Sequence, residues 1–337
     1  MYKEEEYREF LEKRGLSPEK INEYVKAVER AFEYFKTHNK DLVNGSVEDF
    51  HDYVRYLIRQ NSNSYDELMA VGRYVYMLDL KETWIYYASI LGGSTVYPSI
   101  SERLSILAGE EYCEKVFDSI TIPPLGSDPN RYPETTLELM RRLEGELPSE
   151  VYRKVLAGNH HRIPLENFTK YRKWLKELDG DVDRWLEKMH KSAVDELEDH
   201  LRNNKVWYEQ VITRDIVEYV RGNQELLSGV RKGEWIYNQK FPYSPQDYLD
   251  ASDTLMRRYY MCHCPLAREA VLDDEAEIPL DWCYCSAGFG KLRYDYAFGE
   301  ETEVEVLESV FSGSDKCRFR IRIPENWIPE SEKTENG

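Results

Sequence analysis

The chain has 337 residues, 41% hydrophobic and 32% charged, with a formal net charge of −18, which is long enough for two domains that each bury a core. The negative charge repels phosphates and anionic headgroups, so nucleic acid is a disfavoured partner and a membrane surface is excluded as one. No run of 18 apolar residues and no basic-then-apolar leader occurs, so a cytoplasmic protein without membrane span or secretory signal is expected, with oligomeric state left open. Six cysteines in a reducing compartment are expected as free thiols or metal ligands, not disulfides. The 26 tyrosines suit half-wet pockets as well as cores, a weak pointer to a ligand cavity.

Residues 1–120 are expected to form a helical bundle. Ser17-Pro18 supplies a cap and a first-turn proline ahead of Ile21, Tyr24, Val25, Val28, Phe32 and Phe35, which share one helical face. Ser46 with Asp49, and Ser64 with Glu67, have capping-box spacing before two further amphipathic segments. With Phe10-Leu11, Gly15-Leu16-Ser17 and Tyr24, this stretch to about residue 95 resembles the core-binding domain of tyrosine recombinases. The resemblance implies a DNA-binding helical module, but residues 1–110 carry 14 Lys and Arg against 19 Asp and Glu, the wrong balance for a DNA clamp. No His-x-x-Arg occurs, so the recombinase reaction itself is set aside.

Residues 121–133 hold four prolines and one glycine, a composition that breaks helices and is expected to link domains. From 134 to 325 an α/β domain is expected, helical to about 228. Then come a strand over Glu234–Phe241, a helix from Ser244-Pro245 towards Tyr260, and a hairpin pairing 303–311 with 317–323. Glu303 and Glu305 face the arginines of the second strand, giving cross-strand pairs worth roughly 0.2–1 kcal/mol each. Residues 326–337 read as a disordered tail. The fold class is therefore mainly α: a helical bundle followed by helices on a small antiparallel sheet.

The chemistry centres on Cys262-His263-Cys264 and Cys283-Tyr284-Cys285. In extended chain residues i and i+2 project to one side, so each pair presents two sulfurs and two pairs make a tetrahedral site. Thiolates select zinc, or an iron–sulfur cluster, and four protein ligands would make a zinc structural. His263 is a possible replacement ligand. A thiol nucleophile and plain buried cysteines are the competing readings, and Cys113 and Cys317 are assigned to the core.

Residues 200–325 resemble an uncharacterised bacterial family related to the vinyl-reductase-type small-molecule-binding domain and the 2-aminothiazoline-4-carboxylate hydrolase family. The resemblance is carried by Trp207-Tyr-Glu-Gln210, Lys240-Phe-Pro-Tyr243, Arg258-Tyr-Tyr260, Cys262-His-Cys-Pro265, Trp282-Cys-Tyr-Cys-Ser-Ala-Gly288 and Glu308-Ser309 through Cys317-Arg-Phe319. It implies a pocket for a small ligand, with cysteine-bound zinc in some relatives. The residues expected to touch that ligand are Trp207, Gln210, Lys240, Tyr243 and Arg258. Lys240 is a candidate base if buried among rings and an ordinary surface cation if not. Arg257-Arg258 fits either a carboxylate clamp or a helix C-terminus. Gly288-Phe-Gly290 is expected to be a turn, and His160-His161 a structural pair. The leading functional expectation is a sensor-like small-molecule-binding protein with a structural four-cysteine zinc site. A cysteine- or zinc-dependent hydrolase of a small amide or heterocycle, and a DNA-associated adaptor, are the alternatives.

Overall fold

The computed structural model describes residues 2–273 and 276–327, and the chain is mainly α with helices packed on small antiparallel sheets. It divides into two units, Met1–Ser94 with Ile122–Arg131, and Thr95–Thr121 with the chain from Tyr132 onward. No helix among the described residues is long and apolar enough to cross a membrane.

The first unit contains α1 (Glu4–Glu12), α2 (Pro18–Thr37), α3 (Val47–Arg59), α4 (Tyr65–Met77) and α5 (Lys81–Leu91). Ser17 caps α2 by accepting from the Lys20 amide at 3.3 Å. The apolar face read from sequence is buried except for the partly covered Phe32. Ser46 and Asp49 form the full reciprocal box. The second box forms only halfway: Ser64 accepts from the Glu67 amide, but the Glu67 carboxylate turns away to Arg30 Nε at 3.0 Å and stays 7% exposed. A tertiary ion pair between α2 and α4 has taken the acid that the cap would have used.

The two units interleave along the chain around residues 121–133. Val96, Tyr97, Ile100 and Leu104 of the next helix join the second unit's core, while Leu125 packs on the first and Asn63 Nδ2 donates to its carbonyl at 2.8 Å. The proline-rich segment is thus partly bound to the first core.

The second unit opens with α6 (Val96–Ala108), α7 (Glu110–Phe117), α8 (Tyr132–Glu146), α9 (Ser149–Leu156), α10 (Thr169–Glu177) and α11 (Val182–Arg202). A short hairpin follows, β1 (Val206–Trp207) with β2 (Gln210–Val211), then α12 (Arg214–Arg221), β3 (Val230–Lys232) and β4 (Trp235–Gln239). The expected helix after Ser244 is split into α13 (Pro245–Asp250) and α14 (Thr254–Met261), because Asp253 recaps the chain by accepting from the Met256 amide. The unit continues through α15 (Tyr284–Phe298), β5 (Val304–Glu308) and β6 (Arg318–Arg322). The main sheet has the order β3-β4-β6-β5, all antiparallel. Glu305 lies opposite Arg320 and accepts from its Nε at 2.6 Å; Glu303 accepts from Arg322 at 3.3 Å. The tail expected from 326 lies, from 328 onward, outside the described residues, and Glu325–Trp327 forms a 3-10 turn.

Gly288-Phe289-Gly290 is helical, not a turn, and its glycines serve close packing. A Cβ on Gly288 would stand 2.5 Å from the Ala157 carbonyl carbon, and one on Gly290 would overlap the Phe319 ring. His160 is structural as expected: its nitrogens bond Ser99 Oγ at 3.1 Å and the Val155 carbonyl at 2.9 Å, and burial pushes its pKa down to about 4. The Gly288→Ala variant is expected to lose about 1–3 kcal/mol of unfolding free energy through overpacking against backbone. Gly145→Ala in α8, where a Cβ meets nothing within 4 Å, is expected to be neutral or to gain up to about 1 kcal/mol. Urea midpoints of the two variants check the contrast.

Candidate functional site

Five chain segments meet around Lys240 in the second unit. Lys240 follows the last residue of β4, and its amide donates to the Cys317 carbonyl at 2.8 Å, extending the β4–β6 pairing by one residue. Its Nζ donates to Ser286 Oγ in the first turn of α15. Cys262, His263 and Cys264 leave the end of α14; His263 Nε2 donates to the Phe241 carbonyl at 2.7 Å, and its ring meets Tyr243 edge-on at 5.4 Å. The Arg268 guanidinium lies 4.2 Å over the Tyr243 ring. The fifth segment is the β1–β2 turn, which carries Glu209 to a hydrogen bond with Tyr243, within reach of the Arg268 and Lys240 charges.

That turn is strained. Trp207 pairs with Gln210, so only Tyr208 and Glu209 close the hairpin, and Tyr208 adopts φ +52, a position where such turns ordinarily place Asn or Gly. Strain of this kind is commonly kept where a side chain must be aimed.

Burial sets the protonation states. It raises Cys262, Cys264, Cys283, Cys285 and Cys317 above the usual thiol range, so none is a thiolate at neutral pH. Burial and then the Lys240 charge lower His263 to about 3, leaving it neutral. Burial lifts Glu209 above the usual carboxylate range. Lys240 is the hub: its charge acts on Glu209, His263, Cys262, Cys264, Cys285 and Cys317.

The four cysteines expected as metal ligands lie within electrostatic reach of one another in this cluster. Among the described residues no three His, Cys, Asp or Glu side chains converge as ligands for an ion. The second pair is presented differently from the first. Cys283 and Cys285 sit at the start of a helix, with Cys283 itself in helical conformation, and residues two apart on a helix diverge by about 200°. Cys283 is near Cys317, Ser309, Cys262 and Cys264, and Cys285 is near Cys264 and Lys240, so Cys264 neighbours both. The ring of His263, the possible replacement ligand, is committed to the Phe241 carbonyl. Cys264 accepts from Trp282 Nε1 at 3.3 Å.

Of the residues expected to touch a ligand, Lys240 and Tyr243 lie in the cluster. Gln210 is buried and braces it, Nε2 donating to the Tyr243 carbonyl at 3.2 Å. Trp207 is spent on structure, its Nε1 donating to Glu196 at 2.8 Å and its ring packing on Phe241. Arg258 also is structural, donating to the Val310 carbonyl at 2.9 Å. Sequence reasoning missed Glu209, Arg268, Ser286 and Cys317. Glu209, Ser286 and Cys317 lay inside quoted motifs, and the signal for Glu209 was a two-residue turn of Tyr and Glu with no glycine to relax it.

A family of unknown function, DUF6144, matches residues 246–328, a span that runs from α13 through β6 and holds five of the six cysteines. No curated protein and no solved structure matches the chain.

Two measurements check the electrostatics. Native protein at pH 8 is expected to react with iodoacetamide at these five thiols about tenfold or more slowly than unfolded protein, with no acceleration by a chelator; chelator-dependent release would instead reveal a bound metal. For Glu209, a raised pKa contributes stability that is complete below the unfolded value of about 4.3 and is lost as pH rises through the folded one. The melting temperature of the wild type minus that of Glu209→Gln is therefore expected to fall between pH 4 and pH 8; a constant difference would show an unperturbed carboxyl.

Proposed function

We propose that the second unit binds a small molecule at the Lys240 cluster and that the protein acts through that binding, as a sensor does. The observation that carries the reading is the gathering of Lys240, Arg268 and Glu209, side chains costly to withdraw from water, beside neutral thiols and tyrosines. Lys240 has no carboxylate within ion-pair distance among the described residues, so its charge is left for a ligand group. Charges held this way in a fold interior are characteristic of ligand and catalytic sites. The resemblance of residues 200–325 to small-molecule-binding domains supports the same reading. The reading does not depend on the four-cysteine zinc site or its iron–sulfur alternative.

The cationic hub favours a ligand with a carboxylate or a strongly polarised carbonyl. A panel of small carboxylates and carboxamides, screened by thermal shift on the full chain, is expected to contain compounds that raise the melting temperature. Lys240→Met is expected to weaken such compounds about tenfold or more in calorimetric titration, the loss of one charge-assisted hydrogen bond. Equal affinity for wild type and a folded Lys240→Met would refute the site.

A further inference from the structure

We propose that the outer face of α10 is a second binding site, for a small molecule that carries two or more phosphoryl groups. The helix divides its residues by face. Tyr171, Trp174 and Leu175 turn inward and pack on the second unit's core. Thr169, Arg172, Lys173 and Lys176, spaced i, i+3, i+4 and i+7, share the opposite face and with Glu177 line an open groove of about 490 Å³. At about 1.5 Å of rise per residue that stripe is about 10 Å long, more than a single phosphoryl group bridges.

The charge of this face is left over. The chain has 63 acids against 45 Lys and Arg, yet Arg172 and Lys176 have no carboxylate within ion-pair distance among the described residues. Glu177, the acid in the groove, is shared between Lys188 at 2.9 Å and Lys173 at 3.8 Å. Arg172 and Lys176 stand one helical turn apart, and like charges at that spacing oppose the helix. A bound anion would relieve that repulsion.

Arg172 is also held in place. Its guanidinium lies 5.5 Å from the centre of the Tyr296 ring, and a Cβ on Gly299 would stand 2.5 Å from its Nη2, so the missing side chain is what admits it. The Tyr296 hydroxyl is 3.2 Å from Thr169 Oγ1, which closes one side of the groove with the end of α15. A placed guanidinium grips phosphate through two parallel hydrogen bonds, and the lysines add point charges.

The acid elsewhere in the chain limits the size of the ligand. At about 0.1 M salt, charges beyond about 10 Å are screened, so a small anion in the groove meets mainly these cations. A nucleic acid or an anionic bilayer would lie against the acidic surface as well. The groove is separate from the Lys240 cluster, since Tyr296 stands about 15 Å along α15 from Ser286. The two sites are independent.

Calorimetric titration of the full chain with inorganic tripolyphosphate at about 0.1 M salt tests the groove. One equivalent is expected to bind, about tenfold or more tightly than orthophosphate and less tightly as salt rises. Arg172→Gln and Lys176→Gln are each expected to weaken it about tenfold, the loss of one charge-assisted contact. Arg202→Gln, at an exposed arginine on the far end of α11, and Lys240→Met are expected to change it less than about twofold. No binding of tripolyphosphate, or equal affinity for orthophosphate, would overturn the proposal. So would a loss in Arg202→Gln as large as in Arg172→Gln, because binding would then follow net charge alone, or dependence on Lys240 in place of Arg172. Vesicles of phosphatidylserine and phosphatidylcholine, and duplex DNA, are expected to retain none of the chain at the same salt; retention that Arg172→Gln abolishes would give the face to a macromolecular polyanion and overturn the small-ligand assignment.

Discussion

The contact of α15 with its neighbours through glycine on two sides is the constraint on which the second unit is organised. Gly288 lies on the backbone at the end of α9, and Gly290 lies on the Phe319 ring of β6. With no side chain intervening, the helix axis has one permitted distance from the sheet, because packed interiors yield little to added volume. That distance puts Ser286 beside Lys240, since Lys240 is itself tied to β6 through Cys317. One turn further along, Lys291 is 2% exposed and pairs with Asp295, which in turn accepts from the Thr302 amide at 2.8 Å. A buried pair of this sort adds little net stability but is costly to break, so it holds the helix in register as well as in place.

The same constraint explains how so many ionisable groups come together. The end of β4, the start of β6, the end of α14 and the start of α15 are all element termini, and side chains at termini project into the space the elements leave between them. Loops and termini on a rigid scaffold are where binding groups concentrate. Here that space is filled by thiols, tyrosines and two cations instead of aliphatic packing.

The helices and the main hairpin were legible because their signals are local. Ser17-Pro18, the Ser46–Asp49 box and the alternation of Phe319 and Ile321 with arginines each specify their element within a few residues. What was illegible depended on partners far along the chain. Glu67 left its cap for Arg30, Asp253 divided one helix into two, and Leu125 bound a proline-rich stretch to the first core. How the second cysteine pair is presented was illegible for a related reason. Spacing of two means the same side of a strand but diverging faces of a helix, and nothing within Cys283-Tyr284-Cys285 says which applies. Lys240 and Tyr243 were found because their motif is aromatic and extended, whereas Arg268 stood beside a stretch read as a solvated helix face and Ser286 in one read as extended chain running into a turn.

The β1–β2 hairpin gives the cluster unequal mechanical backing. It has only two paired positions per strand and a turn held at positive φ by a tyrosine, and two-stranded ribbons this short have marginal stability of their own. Lys240 instead directly follows a central strand of the main sheet, and Ser286 lies in a fifteen-residue helix. Local opening follows the weakest element first. Glu209 therefore stands on the least braced of the segments around Lys240.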